Sequence, residues 1–158
     1  MKQGLIALFA LGLIAPLSGC GFQPMYAGGE ASTPIVVEQI DGRSGHALRK
    51  ALIQELGPGL PGLEGEATLT VILDENLRRL ALRPDGAASR TDVVGEAEYV
   101  LATADTAISG KVSAETAYNV PNAPFADITA QIDIGERLMT VLARRLVDDM
   151  RLQLADEE

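Results

Sequence analysis

The sequence has one cysteine, one histidine and no tryptophan, and only 4% of its 158 residues are aromatic. Each scarcity closes off a class of protein. A single Cys leaves no internal disulfide, and one Cys with one His falls short of the ligands a zinc cluster uses, so no metal site is expected. With few aromatics, the core must be aliphatic. Positive charge is scarce too: 13 Lys and Arg stand against 22 Asp and Glu, a formal charge of −9. An acidic surface repels phosphate backbones, so nucleic acid is not an expected partner. Catalytic sets are also missing. A Ser-His-Asp arrangement would have to use His46, which stands beside a helix start and reads as a solvated surface residue. The Gly/Pro-rich run 57–62 lacks the lysine and spacing of a phosphate loop. Asp148-Asp149 and Glu157-Glu158 read as a solvated helix end and an acidic tail over 156–158. No catalytic residue and no cofactor are expected, and the chain does not read as an enzyme.

What is present begins at the N-terminus. Lys2 is followed by an apolar run over 4–15 that includes Leu5, Ile6, Leu8, Phe9, Leu11, Leu13 and Ile14. That is the length of a signal-peptide core and too short for the roughly 20 residues that span a bilayer. The run ends in Leu17-Ser18-Gly19-Cys20, which closely resembles the bacterial lipobox. The resemblance implies a leader over 1–19, cleavage before Cys20, and acylation of Cys20 as the membrane anchor. Several acyl chains hold a protein stably where one binds only marginally. Gly21 follows the Cys. In many Gram-negative lipoproteins an Asp there marks retention in the inner membrane, so by the same resemblance this chain belongs on the periplasmic side of the outer membrane.

Residues 20–34 hold Gly21, Pro24, Gly28, Gly29 and Pro34 without sustained periodicity and read as a tether. The domain, 35–155, follows. Ile-Val-Val-Glu-Gln-Ile over 35–40 reads as a strand. Asp41-Gly42 breaks it, and Ser44 is placed to cap a helix whose Leu48, Leu52 and Leu56 recur every fourth residue up to Gly57-Pro58. Residues 67–82 read as a strand with Leu69, Val71 and Leu73 on one face, and Asp74-Glu75-Asn76 as a point where it bends or breaks. Pro84-Asp85-Gly86 is a turn. Residues 91–101 alternate Val93, Ala97, Tyr99 and Leu101 against Asp92, Glu96 and Glu98; residues 108–118 alternate Ile108, Val112, Ala114 and Tyr118 against Ser109, Lys111, Ser113 and Glu115. Such alternation predicts an antiparallel sheet covered on one side only. From Phe125 to about Leu154 the period is helical, with Ile128, Ile132, Leu138, Leu142, Leu146 and Met150 on one stripe. The order is β-α-β-β-β-α. Two apolar helical stripes and one apolar sheet face predict an α+β two-layer sandwich: a mostly antiparallel four-stranded sheet with both helices on one face.

Several stretches resemble the LPS-assembly lipoprotein family LptE of Gram-negative bacteria. They are Cys20-Gly21-Phe22-Gln23-Pro24-Met25-Tyr26, Gly42-Arg43 with Leu48-Arg49, Asp85-Gly86, Ser89-Arg90, Ala97-Glu98-Tyr99, Pro124-Phe125-Ala126 and Arg137-Leu138. They fall in the family's order over almost the whole mature chain. The resemblance implies a β-sheet with two helices packed on it. It also implies a partnership with the outer-membrane barrel LptD, which such a protein helps to assemble and plugs, and contact with lipopolysaccharide (LPS) during its insertion into the outer leaflet. One charge feature fits that role. Arg78, Arg79, Arg83 and Arg90 cluster around the turn, and Asp85 is the only acid between Asn76 and Arg90. Guanidinium forks match phosphates, which lipid A carries. The family uses basic residues near this strand end, and Arg83 and then Arg90 match best by position. The family's further lysine after the last strand has no counterpart, since residues 119–127 contain no Lys or Arg. The alternative in another functional class is a generic periplasm-facing lipoprotein that scaffolds some other envelope protein, with the arginines on a solvated hairpin face paired to nearby acids.

Overall fold

A computed structural model describes residues 34–156, apart from 83 and 87. The leader, Cys20, the tether up to residue 33, Arg83 and the terminal Glu157-Glu158 lie outside the described residues. Six elements follow in the predicted order: β1 (Ile35–Val37), α1 (Gly42–Glu55), β2 (Ala67–Leu82), β3 (Ala88–Ala102), β4 (Ala107–Asn119) and α2 (Pro124–Asp156). One sheet runs β1-β2-β3-β4. β1 lies parallel to β2, Ile35 beside Ala67 and Val37 beside Leu69, because α1 carries the chain across between them. The other pairings are antiparallel.

The alternation read from the sequence is the alternation of the sheet. Leu69, Val71, Leu101, Tyr99, Ala97, Val93, Ile108 and Ala114 are buried beneath the helices. α1 contributes Leu48, Ala51 and Leu52, with Leu56 at its C-cap, and α2 contributes Leu138, Met139, Leu142, Ala143, Leu146, Val147, Met150 and Leu154. α2 lies close over the centre of β3, where a Cβ on Gly95 would stand 3.4 Å from Leu142 Cδ2 and 3.4 Å from Met139 Cε. The helices are tied at the surface by Arg144 Nε donating to Glu55 at 3.0 Å.

Four local expectations are corrected. β1 pairs over three residues instead of six: Glu38 N–H still donates to Leu69 O at 3.0 Å, and the chain then turns toward α1, burying Ile40. Ser44 does not cap α1. Asp41 occupies that place without a side-chain cap, and Ser44, inside the helix, donates its hydroxyl to Glu75 of β2. Asp74-Glu75-Asn76 does not break β2, because each is paired with β3, to Glu96, Gly95 and Val94. Ile128 is 57% exposed and so lies off the buried stripe. The cause is length: α2 has 33 residues and α1 only 14. At about 1.5 Å per residue α1 is too short to flank the first turns of α2.

Candidate functional site

β2 and β3 meet at a hairpin turn over Pro84, Asp85 and Gly86, with Gly86 at φ 81°, a conformation open to glycine at little steric cost. Register shifts between Arg79 and Ala81 and between Ala81 and Leu82 mark a bulge just before the turn, which twists and re-aims the strand end. The hairpin brings the described arginines to one end of the sheet but divides them between its faces. Arg79 stands opposite Thr91 on the helix-covered face. Arg78 stands opposite Asp92 on the open face, and Arg90, two residues from Asp92, shares that face. Among the described residues none of the three forms an ion pair. Glu96 and Glu98 are held by Lys111 at 3.1 Å each, Asp148 by Arg151 at 3.1 Å, and Glu55 by Arg144. Arg83 lies outside the described residues.

Beneath Arg79 an open groove of about 930 Å³ runs between the hairpin, the end of β4 and the first turns of α2. Leu77, Arg79, Thr91, Tyr118, Val120 and Asp127 are among its walls. Its polar floor is ordered: Tyr118 donates to Asp127 Oδ1 at 3.2 Å, and Gln131 donates to Asp127 Oδ2 at 3.2 Å. Burial, with the Asp127 carboxylate beside it, holds the Tyr118 phenol above its ordinary pKa. A second cavity of about 260 Å³ shares the Leu77 and Gln131 walls and adds Val93, Ile128 and Ile132. Leu77, Leu80, Leu82, Phe125 and Ile128 are each more than half exposed at this end. The tip therefore offers guanidinium groups that form no ion pair among the described residues next to exposed apolar side chains, a combination suited to an amphiphile with anionic head groups.

A second polar cluster carries no sequence expectation. Tyr99 of β3 donates to Asp149 Oδ2 of α2 at 2.6 Å. Gln153 donates to Tyr99 Oη at 3.0 Å, to Asp149 Oδ2 at 3.1 Å and to the Ser109 carbonyl at 3.2 Å. Burial first, then the Asp149 carboxylate, push the Tyr99 phenol far above its usual range. Asp148 is exposed and paired with Arg151, as a solvated helix end predicts, whereas Asp149 faces the sheet. The available signal was Gly110 in the middle of an alternating strand: a Cβ there would stand 2.6 Å from Asp149 Oδ2 and 2.8 Å from Tyr99 Cε1. The cluster locks α2 to β3 and β4, and His46 lies exposed and apart from it.

No family model and no curated protein matches the chain. Solved structures do. A lipoprotein from Caulobacter crescentus CB15 is 27% identical, with a TM-score of 0.58 over 77% of this chain and 90% of that one. Rare lipoprotein B from Shewanella oneidensis is 14% identical, with a TM-score of 0.60 over 79% and 97%. A minor lipoprotein from Acinetobacter baumannii is 13% identical, with a TM-score of 0.51 over 78% and 96%. The chain thus shares its fold with a set of bacterial lipoproteins.

Proposed function

We propose that the chain is an outer-membrane lipoprotein of the LptE type, anchored through acylated Cys20 on the periplasmic side, that assists assembly of the LptD barrel, plugs it, and meets LPS during transport to the outer leaflet. The observation that carries this reading is the hairpin tip, where ion-pair-free arginines adjoin exposed leucines, Phe125 and Ile128. Arg forks suit lipid A phosphates and the apolar rim suits its acyl chains. Two further facts support it. The lipobox-like leader and Cys20-Gly21-Phe22-Gln23-Pro24 start precede a fold shared with bacterial lipoproteins. The layout also fits: the chain enters the sheet at Ile35 beside Ala67, the end of β2 opposite the tip. At about 3.3 Å per residue the 16 residues of β2 extend for about 50 Å, comparable to a bilayer with its head groups at about 40–45 Å.

The test is binding of LPS to the mature chain carrying Cys20→Ser, measured across salt concentrations. Arg79→Glu combined with Arg90→Glu should weaken binding about 10-fold or more, with a shallower salt dependence, since screening acts on exposed charge. Arg79→Lys should give an intermediate defect, because Lys keeps the charge and loses the fork. Unchanged affinity in a double variant with native circular dichroism would overturn direct LPS contact at this tip.

A further inference from the structure

β2 is a long strand with a short neighbour. β1 covers only Ala67–Leu69, and beyond it the outer edge of β2 has no strand beside it among the described residues. Leu69 O and Ala67 N–H both bond toward β1's side. By the alternation of an antiparallel ladder, the backbone groups of Leu73, Glu75, Leu77 and Arg79 therefore point out along the open edge. Exposed edges of this length are templates for pairing with another chain.

The residues flanking this edge on the open sheet face are Ile72, Asp74, Asn76 and Arg78, with Leu80 beyond them inside the bulge. Asp74 and Asn76 are already linked at 3.1 Å, and Ile72 and Leu80 are 69% and 54% exposed. Read in reverse, the central series complements itself: acid, amide, base. We infer that in the free chain, outside any barrel, the open edge of β2 pairs antiparallel with the same edge of a second copy, about a two-fold axis at Asn76. That register sets Asp74 against Arg78 of the other copy and Arg78 against its Asp74. It also brings Glu75 opposite Leu77 and Leu73 opposite Arg79 with their backbone groups facing, which closes about eight interchain hydrogen bonds. The register ends where the bulge at Arg79 and Ala81 breaks the ladder. Such an interface is isologous, so it closes at two copies and does not propagate into fibres. The charges that protect the edge from indiscriminate pairing are the ones that fit in this register.

The test uses the mature chain with Cys20→Ser. At the axis Asn76 meets itself in a non-hydrogen-bonded pair, with Cα atoms about 4.5 Å apart, inside the range a disulfide spans. Asn76→Cys should therefore cross-link to dimers under mild oxidation at least about 10-fold faster than Ile72→Cys or Leu80→Cys, whose partner positions hold no thiol. Asp74→Arg should weaken self-association in sedimentation velocity by about 10-fold, by placing like charges opposite each other twice, and adding Arg78→Asp should restore it. Equal cross-linking at the three positions, a monomer at every concentration, or no rescue by the charge swap would overturn the pairing.

Discussion

Leu142→Ala, with its companion Gly95→Ala, tests how the long helix seats on the sheet. Leu142 is wholly buried, and beneath it lies the bare backbone of Gly95. No side chain on that strand position can move to fill the space that truncation leaves. Leu-to-Ala changes at buried sites cost about 2–5 kcal/mol, rising with the cavity that remains, so the expected cost here is about 3–4 kcal/mol. For a domain of this size that lowers Tm by roughly 10–15 °C. Gly95→Ala alone adds a methyl at 3.4–3.5 Å from Leu142, Met139 and Leu138, ordinary contact distances, and should be near neutral. Placed in the Leu142→Ala background the same methyl fills part of the cavity and should return about 1 kcal/mol, one methylene's worth, beyond its effect alone. Leu152→Ala is the matched control, the same substitution on the same helix at a side chain 67% exposed, and should cost no more than about 0.5 kcal/mol. Urea unfolding followed by circular dichroism gives all four values. Equal effects of Leu142→Ala and Leu152→Ala, or strict additivity of the Gly95 and Leu142 changes, would refute this seating of α2.

The Tyr99 cluster predicts an alkaline weakness. Its phenol has a raised pKa in the fold, so it contributes stability that is full below the unfolded value of about 10 and is lost as pH rises above it. The urea midpoint should fall between pH 9 and about 11, and Tyr99→Phe should flatten that fall while lowering stability at pH 8; an identical alkaline slope in both proteins would contradict the assignment. The anchor is read by mass: mature protein from the native envelope should begin at Cys20 and carry the added mass of lipid chains, and Cys20→Ala should abolish both. A mature form with a free Cys20 thiol would refute acylation.

The strands were legible because period-two alternation and burial share one cause: in β3 and β4 one face meets α1 and α2 and the other meets solvent. The extent of β1 was not legible, since Ile40 is as apolar as Ile35 yet is buried after the chain has left the ladder. Ser44 had the chemistry of a cap, but a tertiary partner, Glu75, took its hydroxyl. The arginines were found by their clustering around the Pro84-Asp85-Gly86 turn. Their division between two faces follows from strand parity, Arg78 and Arg79 being neighbours on one strand, while the bulge after Arg79 is not legible in one-dimensional spacing. Asp149 reads as solvated because nothing in the sequence says that Tyr99 lies beneath it.

The most direct test of the proposed role is affinity purification of the natively anchored chain from detergent-solubilised outer membrane, with every co-purifying protein identified and quantified. A single large β-barrel of the LptD type should co-purify in near-equimolar amount, and it should be lost from the outer membrane when the lipoprotein is depleted. Recovery of the acylated chain in the outer-membrane fraction without that barrel, or barrel assembly unaffected by depletion, would contradict it.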